Sequence, residues 1–169
     1  LLQRTNVKDR LLLLVHIRRR KMYCDSNRFH LAIPAGDLES ALEFYCGVLG
    51  CVKGNSETNW VDINFWGNEL TLHASDPNKK QIGKEHVVDM NNVSVPHFGV
   101  HLDTPTFQNI KRRLIENEVK FVSKPYTRFK DGVLEQETMF VADPIGNCLE
   151  IKTMKNPAAL FDENRHLMV

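Results

Sequence analysis

The sequence predicts an α+β fold made of two β-α-β-β-β units, each a curved mixed sheet with its helix outside. Three observations carry this prediction. Phe-His-Leu-Ala-Ile at residues 29–33 has a counterpart in Pro-His-Phe-Gly-Val-His-Leu at residues 96–102, and an amphipathic stretch follows each. Each half also contains Gly-Asn-x-Leu, at residues 67–70 and 146–149. The leading histidines, His30 and His97, lie 67 residues apart and the two Gly-Asn pairs 79 apart, so the second unit is the longer by 12. A repeat of this kind constrains the architecture before any single element is read.

In unit one, Phe29 to Ile33 is a short apolar run closed by Pro34 and reads as a strand. Asp37 suits a helix N-cap, and Leu38, Ala41, Leu42, Tyr45 and Val48 recur at helical spacing, predicting a helix over 38–48 ended by Gly50. A short strand is expected near Cys51–Lys53. Trp60–Phe65 alternates apolar and polar residues, the mark of a half-buried strand. Trp66-Gly67-Asn68 then turns the chain, and Glu69–Ala74 returns as its partner.

Residues 75–92 are polar and read as an irregular linker. Unit two repeats the order. Val95–Leu102 is a strand, and Thr104 or Thr106 caps a helix over 106–117 with Phe107, Ile110, Leu114 and Ile115 on one face. Val119–Val122 and Thr138–Ala142 are strands, Asp143–Asn147 is a turn, and Cys148–Thr153 is the last strand. The twelve extra residues are expected in a loop at Tyr126–Gln136. A short tail begins at Pro157–Phe161.

Composition fits this picture. An apolar share of 42% and a charged share of 25% are those of a globular protein. A net charge of +1 provides no field for gathering nucleic acid or an anionic membrane. Cys24, Cys46, Cys51 and Cys148 show neither metal-site nor disulfide-scaffold spacing, and inert thiols in a reducing compartment are expected. The Leu11–Val15 run is too short to span a bilayer and lacks a signal-peptide cleavage site. Residues 1–22 are Arg-rich and almost acid-free, as an import presequence would be, while Met22 offers a natural start. They read as an N-terminal extension outside the functional argument. The expected location is cytoplasmic, or organellar if that extension is native. The domain is placed at 28–161, with unit one at 28–75, unit two at 93–155 and a tail at 162–169.

The repeat, the segments Asp62–His73, Val95–Val100 and Glu137–Glu150, and Pro125-Tyr126-Thr127-Arg128-Phe129-Lys130 resemble the vicinal oxygen chelate superfamily. That group includes glyoxalase I, extradiol dioxygenases, and the fosfomycin and bleomycin resistance proteins. The resemblance implies that the two βαβββ units form one cupped mixed β-sheet. It also implies a divalent metal inside the cup, and a small molecule held through two neighbouring oxygens. The cup closes either within one chain or across a homodimer. Carried over by residue, His30, His97 and Glu150 match the ligand positions.

Two imidazoles and one carboxylate with open positions suit non-haem Fe(II), and the same donors suit Zn, Ni or Mn. Strand parity puts Cys148, Glu150 and Lys152 on one face, and a carboxylate flanked by Leu149 and Ile151 needs a partner, which a metal would provide. The fourth position is open. The repeat sets Thr71 against Glu150, with Glu69 and His73 on the same face as Thr71. His73 is favoured as ligand or proton acceptor and Glu69 is its rival. Tyr126 and Arg128 are candidates to hold an anionic substrate group, and Phe65 and Met139 to shape its pocket. A lone strand histidine is usually hydrogen-bonded structure; three matched positions in a repeat favour a metal. A metal-dependent lyase or dioxygenase is the leading expectation. A metal-free sequestering protein of the bleomycin-resistance kind is the alternative.

Overall fold

The computed structural model describes residues 27–81, 84–88 and 91–161. The expected extension at 1–22 and tail at 162–169 lie outside the described residues. Unit one runs β1 (His30–Gly36), α1 (Leu38–Leu42) with a wider π-helical continuation at Glu43–Val48, β2 (Val52–Glu57), β3 (Trp60–Phe65) and β4 (Asn68–Ala74). A hairpin of β5 (Lys84–Val88) and β6 (Asn91–Val95) follows. Unit two runs β7 (Phe98–Leu102), α2 (Thr104–Glu116), β8 (Phe121–Arg128), β9 (Gln136–Ala142) and β10 (Cys148–Met154). The sheets have orders β1-β4-β3-β2 and β7-β10-β9-β8. In each, the first strand pairs in parallel with the last and the other pairs are antiparallel. The two βαβββ units and their mixed sheets are therefore present.

The helices start for the same local reason in both units. Asp37 accepts from the Ser40 N–H at 2.8 Å, and Asp103 accepts from the Thr106 N–H at 2.8 Å. Each aspartate thus satisfies a donor that the first turn leaves open. The cap of α2 is Asp103, not Thr104 or Thr106, and Pro105 sits in the first turn, where its missing N–H costs nothing.

Four expectations of element bounds need correction. Val95–Leu102 is not one strand, because Val95 closes β6 and β7 begins only at Phe98, leaving His97 between them. Pro34 does not end β1, which continues to Gly36 with a register shift. β1 is an edge strand, and an edge tolerates a residue without an N–H. The stretch read as an irregular linker holds the β5–β6 hairpin. The expected loop at Tyr126–Gln136 is also shorter, because β8 reaches Arg128 through two register shifts. Such bulges, with Pro125 inside the second, destroy the period-two pattern by which a strand is recognised.

One core joins the two units. Leu70 and Leu72 of β4, Leu149 and Ile151 of β10, Phe107, Ile110 and Leu114 of α2, and Phe44 and Tyr45 of the π turn share it. The units are also tied by polar contacts at one end. The buried Tyr45 hydroxyl donates to Asp143 Oδ2 at 3.1 Å, and the Asn147 amide donates to the Pro34 carbonyl at 2.8 Å. Asp143 further accepts from the Ile145 and Asn147 backbone N–H groups, so the turn itself is built around its carboxylate. A Tyr45→Phe variant should lose about 2 kcal/mol, the size of a hydrogen bond to a charged group. Chemical denaturation would measure it, and an unchanged midpoint would mean the bond adds nothing.

Among the described residues, no helix is long and apolar enough to cross a membrane.

Candidate functional site

Register decides which side chains of unit two share the sheet face that turns away from the core. Leu149 and Ile151 point into the core, so Cys148, Glu150 and Lys152 point the other way. On β9, Phe140 stands opposite Glu150 and Thr138 opposite Lys152. On β8, Tyr126 stands opposite Thr138 and Arg128 opposite Gln136. On β7, Gly99 stands opposite Glu150 and His101 opposite Lys152. Gly99 is required by close approach. A Cβ there would overlap the Glu150 carbonyl oxygen, so a side chain would push the two strands apart.

Glu150 is only 7% exposed. Its Oε1 accepts from the Thr138 hydroxyl at 2.9 Å, and its Oε2 accepts from Lys152 Nζ at 2.9 Å. His97 Nε2 lies 3.5 Å from the same Oε2. Burial alone would raise the Glu150 pKa. The hydrogen bond and charge of Lys152, then Thr138 and His97, outweigh it and hold the carboxyl below its ordinary range. The partner that the sequence argument sought in a metal is therefore already present in Lys152 and Thr138. Strand parity had placed Lys152 on this face, but its reach to the preceding carboxylate is a side-chain geometry that parity does not contain. His101 stands on the same face. Partial burial first, and the Lys152 ammonium second, push its imidazole below the ordinary range, with Glu150 pulling the other way.

Unit one carries a second pair. β1 and β4 run parallel with His30 opposite Glu69, and His30 Nδ1 lies 3.5 Å from Glu69 Oε2. Both side chains are about half exposed. Thr71, the repeat counterpart of Glu150, is buried and donates to Asp62 Oδ1 at 2.7 Å. His73 lies further along β4, exposed, opposite Pro34 and Trp60. Among the described residues, no group of three or more His, Cys, Asp and Glu side chains is arranged to hold a metal ion. The candidate donors instead form two pairs, one in each unit.

Each pair suits one edge of a metal's coordination shell. Two ligands about 2.1 Å from a tetrahedral ion lie about 3.4 Å from each other, close to both observed separations. Imidazole with carboxylate also suits Zn, Fe, Ni or Mn. The donors fit a metal in type and spacing, as two half-sets.

His97 borders two cavities. One, of about 350 Å³, is lined by Leu31, Phe65, Glu69, His97, Phe98 and Gly99. The other, of about 260 Å³, involves Ile33, Pro96, His97, Asn147 and Cys148. Phe65 is held edge-on by Trp66 and tilted against Phe98. Tyr126 packs on Phe140 and Cys148, and the Arg128 guanidinium lies 4.8 Å from the centroid of the Phe129 ring. Both therefore stand on a strand and not on a covering loop. Met139 is fully buried opposite Ile151, on the core side. It cannot touch a ligand on the opposite face, because one residue of parity separates the core face from that of Glu150.

Residues 28–151 match the glyoxalase/bleomycin resistance protein/dioxygenase superfamily. The chain belongs to that superfamily. Among solved structures, it is 31% identical to the glyoxalase/bleomycin resistance protein/dioxygenase of Alicyclobacillus acidocaldarius, over 80% of this chain and 97% of that one, with a TM-score of 0.65. It shares its fold with the fosfomycin resistance protein FosX of Listeria monocytogenes, at 12% identity over 76% and 93% of the two chains and a TM-score of 0.58. The lactoylglutathione lyase of Agrobacterium tumefaciens shares it too, at 20% identity over 77% and 95% and a TM-score of 0.51. No curated protein matches the chain. Superfamily membership explains the repeat, since both units derive their sheet order from one βαβββ plan.

Proposed function

We propose that this superfamily member is a metal-dependent enzyme acting on a small molecule with two neighbouring oxygens. The observation that supports this best is the presence of two imidazole–carboxylate pairs, His30–Glu69 and His97–Glu150, each at 3.5 Å. His30, His97, Glu150 and Glu69 would hold the ion. A bound divalent ion supplies Lewis acidity toward the substrate oxygens. Tyr126 and Arg128 hold the anionic end of the substrate, and Phe65 borders the cavity that receives it. Isomerisation of the glyoxalase type or ring opening of the dioxygenase type both suit this arrangement. Assay of metal-loaded protein with α-ketoaldehyde–thiol adducts and with catechols tests the reading. Metal uptake without turnover of either class would count against it.

Among the described residues the two pairs are not grouped to hold one ion, so the reading includes a homodimer in which each site takes one pair from each copy. This predicts complementation. His30→Ala and His97→Ala homodimers should each bind no metal. Mixed in equal amounts with subunit exchange, they should recover about a quarter of wild-type metal, because half of the dimers then carry one intact site. Elemental analysis measures the recovery. No recovery would mean that the site closes within a single chain.

A metal-free sequestering protein is the second reading. The neutralisation of Glu150 by Lys152 favours it. Wild-type protein that takes up no divalent metal in a buffered titration would establish it over the first.

A further inference from the structure

We propose that Lys152 is a built-in competitor for the metal position: its ammonium occupies Glu150 Oε2 and leaves that oxygen when a divalent cation binds. This rests on the metal-dependent reading above. Lys152 Nζ is 2.9 Å from Oε2, while His97 Nε2 approaches the same oxygen at 3.5 Å. His97 and Glu150 would hold the ion, imidazole and carboxylate both being suitable donors. The ammonium and the ion would then share one oxygen at a separation where two positive charges repel strongly, and strongly so because the carboxylate is buried.

The other partner of the carboxylate does not compete. Thr138 donates to Oε1, on the far side from His97, and fixes the carboxylate plane whether Oε2 faces an ammonium or a metal ion. Lys152 is 20% exposed along its side chain, so its flexible stem can swing the head toward solvent. The arrangement keeps a buried carboxylate paired when no metal is bound, which avoids the cost of an isolated buried charge. It also makes the apparent metal affinity lower than the donor set alone would give. Lys152 is thus a positioning residue for Glu150.

The test has two arms, neither of which depends on turnover. In the first, Zn²⁺ and Mn²⁺ affinities are measured by metal-buffered titration for wild type, Lys152→Met and Lys152→Arg. Lys152→Met keeps the aliphatic bulk and removes the charge. It should bind about tenfold to a hundredfold more tightly than wild type, while Lys152→Arg stays near wild type. In the second, the wild-type protein is acylated at its amines with and without Zn²⁺, and modification of Lys152 is read by mass spectrometry. Metal should raise its modification several-fold relative to Lys155, which is exposed and lies beyond the site. Glu150→Gln should raise it without metal. The second arm needs no Lys152 variant, so a Lys152→Met protein that fails to fold leaves the proposal testable. Tighter binding in Lys152→Met together with metal-dependent exposure of Lys152 supports it. Equal or weaker binding in a folded Lys152→Met, or modification indifferent to metal in a protein that binds metal, overturns it while leaving the metal site intact. Absence of metal binding in both wild type and Lys152→Met removes the metal-dependent reading and this proposal together.

Discussion

A Glu150→Ala variant should lose metal affinity by a factor of at least about a hundred, since even residues that merely orient a ligand cost tenfold to a hundredfold. Its effect on stability should be much smaller. The substitution removes a buried carboxylate, and the Lys152 ammonium it leaves behind is near enough to solvent to hydrate. The control is Thr71→Ala. Thr71 occupies the repeat position of Glu150 but bonds to Asp62, so its loss should leave metal content unchanged. Elemental analysis and thermal unfolding of the three proteins separate the effects. Equal stoichiometry in wild type and Glu150→Ala would end the assignment of Glu150 as a ligand.

Gly99→Ala should be the more damaging of two apparently similar changes. A methyl at residue 99 meets the Glu150 carbonyl oxygen of the neighbouring strand, and backbone cannot rotate away as a side chain can. Relief requires β7 to separate from β10, at about 3 kcal/mol, the upper part of the range for overpacking. In a domain of this size that is a drop of roughly 6–12 °C in Tm. The same shift carries Glu150 away from His97, so metal affinity should fall with stability. Gly67→Ala is the comparison. Gly67 adopts a φ of +91°, but no atom beyond its chain neighbours lies within 4 Å of its missing Cβ. Only the backbone strain is left there, about 1–2 kcal/mol. Thermal melts of both variants decide the matter, and a Gly99→Ala protein no weaker than Gly67→Ala would refute the close-approach account.

The sequence by itself determined the repeat, and through it the order of elements. His30, His97 and the two Gly-Asn-x-Leu segments recur because both units follow one plan. Strand parity then put Glu150 and Lys152 on a single face, since alternation is a property of the backbone and needs no partner. The first helix cap was legible for the same reason, since Asp37 acts within three residues of itself, whereas the second was read at Thr104 or Thr106 and stands at Asp103.

What the tertiary structure alone decided is which of those residues meet. Glu69 and His73 share a face with Thr71. Only the parallel register of β1 on β4 sets Glu69 opposite His30 and carries His73 past it. Glu150 needed a partner by simple electrostatics, but whether that partner was an ion or Lys152 depended on a rotamer. Tyr126 and Arg128 read as loop residues because bulges in β8 erased the alternation, and Met139 read as a pocket residue although its register with Ile151 turns it into the core. Local pattern fixes the faces of strands, because adjacent peptide geometry does. Long-range pairing fixes contacts across faces, because it joins residues that no local rule relates.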